Sequence, residues 1–279
     1  APSMLLGYNT NGLAHHDPQQ ALELLAEIGY RSVALTIDHQ WLSPFQPDWP
    51  KQLEQLAQLL RQLGLACTLE TGARFLLDPR RKHWPPLVIE PALAAPRREL
   101  IRHAMEIAAP LGAKVISIWS GVAPEGLDDQ MVLDNLTANL DMLLRDAERY
   151  DVILGFEPEP GMAIDTMSRW ERLQQWLSHP RLRLTLDIGH LFCQGEVPLA
   201  DYIERWAAQT VNIHLEDMRA GVHEHLMFGE GEMSFPPIVA ALKSSGYTGP
   251  VHVELSRHSH DAANVARRAF DFLQPLLQP

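Results

Sequence analysis

Cysteine is scarce: Cys67 and Cys193 are the two in a chain of 279 residues. Two thiols that far apart are no disulfide framework, so a reducing compartment is expected, with the thiols buried and the protein cytoplasmic. Long apolar runs are missing too. No stretch reaches the roughly 20 apolar residues that a membrane-spanning helix needs. The opening "APSMLLGYNTNG" has no basic region ahead of a long apolar run and does not read as a signal peptide. Basic charge is in short supply, with 23 Lys and Arg against 35 Asp and Glu and a net charge of -12. Its small concentrations, "PRRK" at 79–82 and "PRREL" at 96–100, lie among acidic or apolar neighbours. Such a surface repels nucleic acid and anionic membranes and leaves a small molecule as the expected partner. No low-complexity segment appears, and no glycine-rich phosphate turn follows the first apolar run.

What is present is alternation. Short apolar runs at 4–10, 32–38, 66–71, 115–121, 153–159, 182–188, 210–216 and 250–256 read as strands. Between them lie segments with apolar residues at three- and four-residue spacing: "PQQALELLAEIG", "WPKQLEQLAQLLRQLG", "RRELIRHAMEIAAPLG", "VLDNLTANLDMLLRDAERY", "SRWERLQQWLSH", "ADYIERWAAQ", "PPIVAALKSSG" and "AANVARRAFDFLQPLL". Gly29, Gly64, Gly112 and Gly246 mark helix ends. Eight strand-helix pairs without a composition break predict a single α/β domain over 1–279, a (β/α)8 TIM barrel. The Pro-rich loop 72–96, with Arg74, His83 and Trp84, is long enough to be a lid or a wall.

Active sites of such barrels lie at the C-terminal ends of the strands. Side chains alternate along a strand, so the apolar set faces the helices and the other set faces inward. In "VILGFEPEP" the inward set is Glu157 and Glu159; in "LRLTLDIGH" it is Thr185 and Asp187. In "TVNIHLED" it is Asn212, His214 and Glu216, and in "VHVELS" it is His252, Glu254 and Ser256. Four consecutive strands thus send an acid or a histidine inward at their last turn. Buried carboxylates are costly unless paired or bound to a cation. The mixed oxygen and nitrogen set suits a divalent ion such as Mn, Mg, Co or Zn.

The segments "FEPEPG", "LDIGH", "NIHLED" and "HLMFGEGEMSFPPIVAALKSSGYTGPVHVEL" resemble the xylose isomerase-like TIM barrel superfamily, closest to its sugar phosphate isomerase/epimerase-like group. Ketose 3-epimerases belong to it, and endonuclease IV more distantly. The resemblance implies one divalent ion held by Glu157, Asp187, His214 and Glu254, with Glu157 and Glu254 also moving the proton. It implies a substrate contact for His190 in Asp-x-x-His, and one for Arg219, whose spacing departs by about a residue from the family pattern. Relatives often assemble as dimers or tetramers, which leaves a homo-oligomer open. Endonuclease IV carries further zinc ligands where this chain reads His223-Glu224-His225, but its histidines after strands three and four are replaced near Glu70 and Trp119.

Other candidates follow from position. Trp119 could pack against a sugar face, and Glu70 and His225 are expected substrate contacts, with His223 close behind. Glu159 reads as a rim carboxylate, Tyr8 and Asn9 as pocket wall, and His15 and His16 as surface. His258 and His260 read as the approach to a helix capped by Asp261. The expected chemistry is isomerisation or epimerisation of a small sugar, keto-sugar or polyol-like compound, by proton transfer between two glutamates through an enediolate. The alternative is a metal-dependent phosphoester hydrolase, and a third reading keeps the barrel for dehydratase-type or non-enzymatic use.

Overall fold

A computed structural model describes residues 4–278. The eight expected strands are all present: β1 (Leu5–Asn9), β2 (Ser32–Thr36), β3 (Ala66–Glu70), β4 (Val115–Ile118), β5 (Ile153–Phe156), β6 (Leu182–Asp187), β7 (Thr210–Leu215) and, after a short hairpin, β10 (Pro250–Val253). They form a closed barrel in the order β1-β10-β7-β6-β5-β4-β3-β2, the (β/α)8 TIM barrel expected from the alternation. The helices between them are α1 (Pro18–Ile28), α2 (Trp49–Leu63), α3 (Pro91–Ala108), α4 (Asp129–Tyr150), α5 (Met167–Trp176), α6 (Ile188–Cys193), α7 (Leu199–Trp206), α8 (Phe235–Ser244) and α9 (Ala262–Leu277). No helix among the described residues is long and apolar enough to cross a membrane.

The chain divides into two compact units. One comprises the segment up to Leu35, Gln58–Cys67 and the chain from Leu186 onward; the other comprises Thr36–Ala57 and Thr68–Thr185. In the first, the inward residues form a polar layer under the site. His252 Nε2 lies 2.8 Å from Ser32 Oγ, and its Nδ1 lies 2.9 Å from Asn212 Oδ1. Gly7 makes room for that ring, because a Cβ there would stand 2.5 Å from His252 Cδ2. Burial pushes the His252 imidazole down to about 3, so it is neutral at pH 7. In the second unit, Ser117 Oγ and Thr185 Oγ1 are 2.9 Å apart, and Thr185 also donates to the Gly155 carbonyl. The Cys67 thiol is buried and pushed up to about 12, which leaves it inert.

The strands end earlier than the sequence suggests. β5 stops at Phe156 and β10 at Val253, one residue before the glutamates. The ladder nevertheless continues by one bond on each: Glu157 N–H donates to the Ile118 carbonyl, 2.8 Å, and Glu254 N–H to the Leu215 carbonyl, 3.1 Å. The glutamate backbones are therefore held by the sheet while their side chains stand at its C-terminal end.

Two other departures have clear causes. α3 begins at Pro91, inside the expected loop 72–96, with Pro96 within it. Pro91 suits a first turn, and Pro96 removes a single helical bond, while Arg98 Nη1 donates to the Pro91 carbonyl, 2.6 Å. The polar stretch after β7 forms a hairpin, β8 (Asp217–Arg219) with β9 (Val222–Leu226), turning at Gly221 with φ 72°. Asp217 then organises the next loop. Its carboxylate accepts from the N–H groups of Met218 at 2.8 Å, Gly229 at 2.9 Å, Gly231 at 3.0 Å and Met233 at 3.1 Å.

Candidate active site

Asp187 ends β6 and caps α6: its Oδ1 accepts the His190 N–H at 3.1 Å. Its Oδ2 faces His190 Nε2 at 3.4 Å and His214 Nδ1 at 3.7 Å. His214, on β7, brings the same Nδ1 to 3.0 Å from Glu254 Oε2, and its Nε2 lies 3.4 Å from Asn212 Nδ2. Asn11 Nδ2 donates to the other Glu254 oxygen at 3.1 Å. Asp187, His214 and Glu254 each offer a ligand atom within 4.8 Å of the others. Asp187 Oδ2 and Glu254 Oε2 are buried and have no hydrogen-bond partner among the described residues. Two buried carboxylate oxygens with unused lone pairs, converging beside an imidazole, fit a divalent cation.

The electrostatics agree with that donor set. Burial pushes the Asp187 carboxyl up, but the imidazoles of His190 and His214 prevail and hold it at about 2. Burial acts the same way on Glu254, and His214 again outweighs it, holding the carboxyl well below the usual range. Both are therefore ionised at neutral pH. His190 is pushed down to about 3 by burial against the pull of Asp187, which leaves it neutral with a lone pair to offer.

Glu157 is buried at the end of β5. β5 and β6 pair in register with Phe156 opposite Leu184, so Glu157 follows one residue beyond that pair and Asp187 ends the neighbouring strand. Glu159 is half-buried in the following turn, where its N–H donates to the Ile164 carbonyl.

A second group lies beside the first. Glu216 follows β7 and is fully buried; its Oε1 is 2.8 Å from His225 Nδ1. His223 Nε2 is 3.0 Å from His190 Nε2, and the His223 and His225 rings are 5.6 Å apart. Burial and the charge of Asp187 push the Glu216 carboxyl up, whereas Glu216 outweighs burial at His225 and raises it. The alternation along the strand points Glu216 inward but gives it no role. Its signal is the two-residue step from His214, and His223 and His225 show the same step on β9.

Among the remaining candidates, Trp119 is buried after β4, with the Arg97 guanidinium 4.7 Å over its ring and the His83 ring 4.9 Å away. Arg97, which sequence reasoning missed, also donates to the Pro85 and Thr71 carbonyls and so ties the long loop to the end of β3. Burial and the nearby cations push His83 down to about 4. Glu70 is buried at the end of β3, and its carbonyl accepts the Ile37 N–H. Arg219 is exposed beside the hairpin turn, opposite Val222. Tyr8 is buried and Asn9 caps a short turn. His15 and His260 are exposed, with His16 and His258 half-buried. Asp261 stands at the start of α9, but its side chain accepts from the Asn264 side chain and makes no backbone cap.

A closed barrel with acids and histidines at its strand ends defines a class of barrel enzymes. The profile of the xylose isomerase-like TIM barrel family matches residues 22–276, and the chain belongs to that family. It is 26% identical over 258 residues to L-ribulose-5-phosphate 3-epimerase UlaE of Salmonella paratyphi C, covering 89% of this chain and 86% of that protein. Its fold is similar to the crystal structure of a D-tagatose 3-epimerase-like protein, with a TM-score of 0.78 and 21% identity over 98% of this chain and 99% of that one. It is also similar to the IOLI protein crystallised with a zinc atom, with a TM-score of 0.76 and 18% identity over 98% of each chain.

Proposed function

We propose that this enzyme, of the sugar isomerase and epimerase class, is a divalent-metal-dependent epimerase that inverts the carbon next to the carbonyl of a small ketose or ketose phosphate. The observation that carries the reading is the convergence of Asp187, His214 and Glu254 with buried, unused carboxylate lone pairs. Glu157, leaving the strand that pairs with β6, supplies the fourth ligand. The donor set of three carboxylates and one imidazole accepts Mn, Mg, Co or Zn. The epimerase names of the curated relatives support the reaction class.

A bound divalent ion supplies Lewis acidity to a substrate carbonyl, which acidifies the neighbouring C–H. Every other step belongs to the chain. Glu157 and Glu254 flank the reacting carbon; one takes its proton as base, and the other, protonated, returns a proton to the opposite face. The C–H bond broken on one side is thus remade on the other, and the two glutamates exchange protonation states. Asn11 holds one Glu254 oxygen, which fixes the carboxylate's rotamer. Substrate oxygens are met by Glu70, His190 and His225, with Arg219 reaching in from the hairpin, and Trp119 packs against a sugar face. We place the enzyme in the cytoplasm, working as a single domain on a small molecule.

The test is a screen of ketoses and ketose phosphates by NMR, with protein loaded with manganese or cobalt and a chelated control. Epimer formation that requires the ion supports the reading. No conversion of any ketose by protein shown to hold its metal overturns it.

A further inference from the structure

Behind His214 runs an array of polar side chains that the proposed chemistry does not use. Ser32 on β2, His252 on β10, and Asn212 and His214 on β7 are each at most 1% exposed. The strands that hold them are neighbours, in the order β2-β1-β10-β7. β1 contributes a gap between them: Gly7 pairs with His252 on one side and with Ser32 on the other. With no side chain at Gly7, the His252 ring reaches across β1, and its Nε2 meets Ser32 Oγ at 2.8 Å. Its Nδ1 meets Asn212 Oδ1 at 2.9 Å, and Asn212 Nδ2 meets His214 Nε2 at 3.4 Å. On the far side of the His214 ring, Nδ1 stands 3.0 Å from Glu254 Oε2.

An amide oxygen only accepts and an amide nitrogen only donates, so each link of the array fixes the next. With Oδ1 toward His252, the His252 proton sits on Nδ1, and Nε2 accepts from the Ser32 hydroxyl. With Nδ2 toward His214, Nε2 of that ring accepts, and its proton sits on Nδ1 beside Glu254. A cation on His214 Nδ1 needs the lone pair there, so the proton must stand on Nε2 instead. Nε2–H would then face the N–H of the Asn212 amide, donor against donor. One turn of the amide removes the conflict. Oδ1 then accepts from His214 Nε2, Nδ2 donates to His252 Nδ1, and His252 Nε2–H donates to Ser32 Oγ, which accepts as readily as it donates. Neither ring gains or loses charge. We propose that Asn212, backed by His252 and Ser32, is a positioning residue for the cation site: its amide turns over when a divalent cation takes His214 Nδ1, and the hydrogen bonds of the whole array reverse. This rests on His214 being a cation ligand, as proposed above, and not on the epimerase chemistry.

The experiment locates the ring protons by two-bond proton–nitrogen NMR spectra of histidine-labelled protein, without metal and saturated with zinc. The signals of His214 and His252 are assigned by their loss in His214→Gln and His252→Gln. The expected result is a His252 proton on Nδ1 before zinc and on Nε2 after it, with zinc on His214 Nδ1. An unchanged His252 tautomer with zinc on His214 overturns the inference and leaves the cation site standing. Zinc-saturated protein whose His214 carries no zinc overturns the cation site itself, and the inference with it. Two variants test the positioning role through the zinc affinity read at His214. Asn212→Leu keeps the bulk and removes the acceptor, and should weaken zinc binding at least about tenfold. Asn212→Asp accepts from both rings without turning. It should hold zinc at least as tightly as wild type, while His252 keeps its proton on Nδ1 with and without the metal. Wild-type affinity in Asn212→Leu, or an equal loss of affinity in the two variants, overturns the role.

Discussion

Gly231→Ala tests how the loop after β7 is held. A Cβ at Gly231 would stand 2.6 Å from Asp217 Cγ, closer still to Oδ1, and 2.7 Å from the Met218 nitrogen. The Asp217 carboxylate must then retreat by about half an ångström, away from the four N–H groups it accepts from. A hydrogen bond to a charged group contributes about 1.5–3 kcal/mol. Weakening two of the four predicts a loss of roughly 2–4 kcal/mol in urea unfolding. Gly229→Ala is the control: nothing lies within 4 Å of its Cβ, and the cost is that of its φ of +95° alone, about 1 kcal/mol. A double-mutant cycle sharpens the comparison. In an Asp217→Ala background the clash with the carboxylate is gone and only the approach to the Met218 nitrogen remains, so Gly231→Ala should then cost less, by about 1 kcal/mol or more. If Gly231→Ala stays within about 0.5 kcal/mol of wild type, or if the two changes are additive, the close approach does not hold this loop.

Other expectations follow from the same geometry. Glu157→Gln and Glu254→Gln should each lower turnover at least about a hundredfold with folding intact, and a variant that keeps full activity removes that glutamate from the proton transfer. His252 binds a proton near 6.5 when unfolded but only near 3 when folded, so the unfolded chain holds more protons between those values. Stability should therefore be lost as pH falls from about 6.5 towards 3, by at most about 4–5 kcal/mol from this group. Metal-free protein unfolded in urea across that range should show the slope, and His252→Gln should flatten it; equal slopes contradict the buried neutral imidazole. Saturating metal at about a hundredfold over its Kd stabilises by about 2.7 kcal/mol, so chelation should lower the Tm by roughly 5–10 °C. A Tm that chelation leaves unchanged argues against a bound ion.

The barrel was legible because its strands are apolar on one face and its helices carry regular spacing; the eight strands begin within a residue of where the pattern puts them. The inward parity of Asp187, His214 and Glu254 was legible for the same reason. The hairpin was not, because "DMRAGVHEHL" is polar on both faces and offers no apolar alternation to read. Its absence from the sequence reading separated Glu216 from His225, nine positions further along, although the fold brings them to 2.8 Å. α6 has only six residues, too few for helical spacing, and its one signal is Asp187 three residues before His190. Arg97 drew no role in the sequence, where "PRREL" is only a short basic stretch among acidic or apolar neighbours, because its partners are backbone carbonyls of a loop, which no side-chain pattern reports.

The central claim is that one glutamate removes a proton from a ketose carbon and the other delivers a different one to its opposite face, beside a bound divalent ion. Incubating metal-loaded protein with converted ketoses in deuterated water tests it directly. The account predicts one deuterium on the carbon next to the carbonyl in each product molecule, and none formed by Glu254→Gln. Product that carries no deuterium at that carbon at any stage, or exchange at wild-type rate in Glu254→Gln, would contradict it.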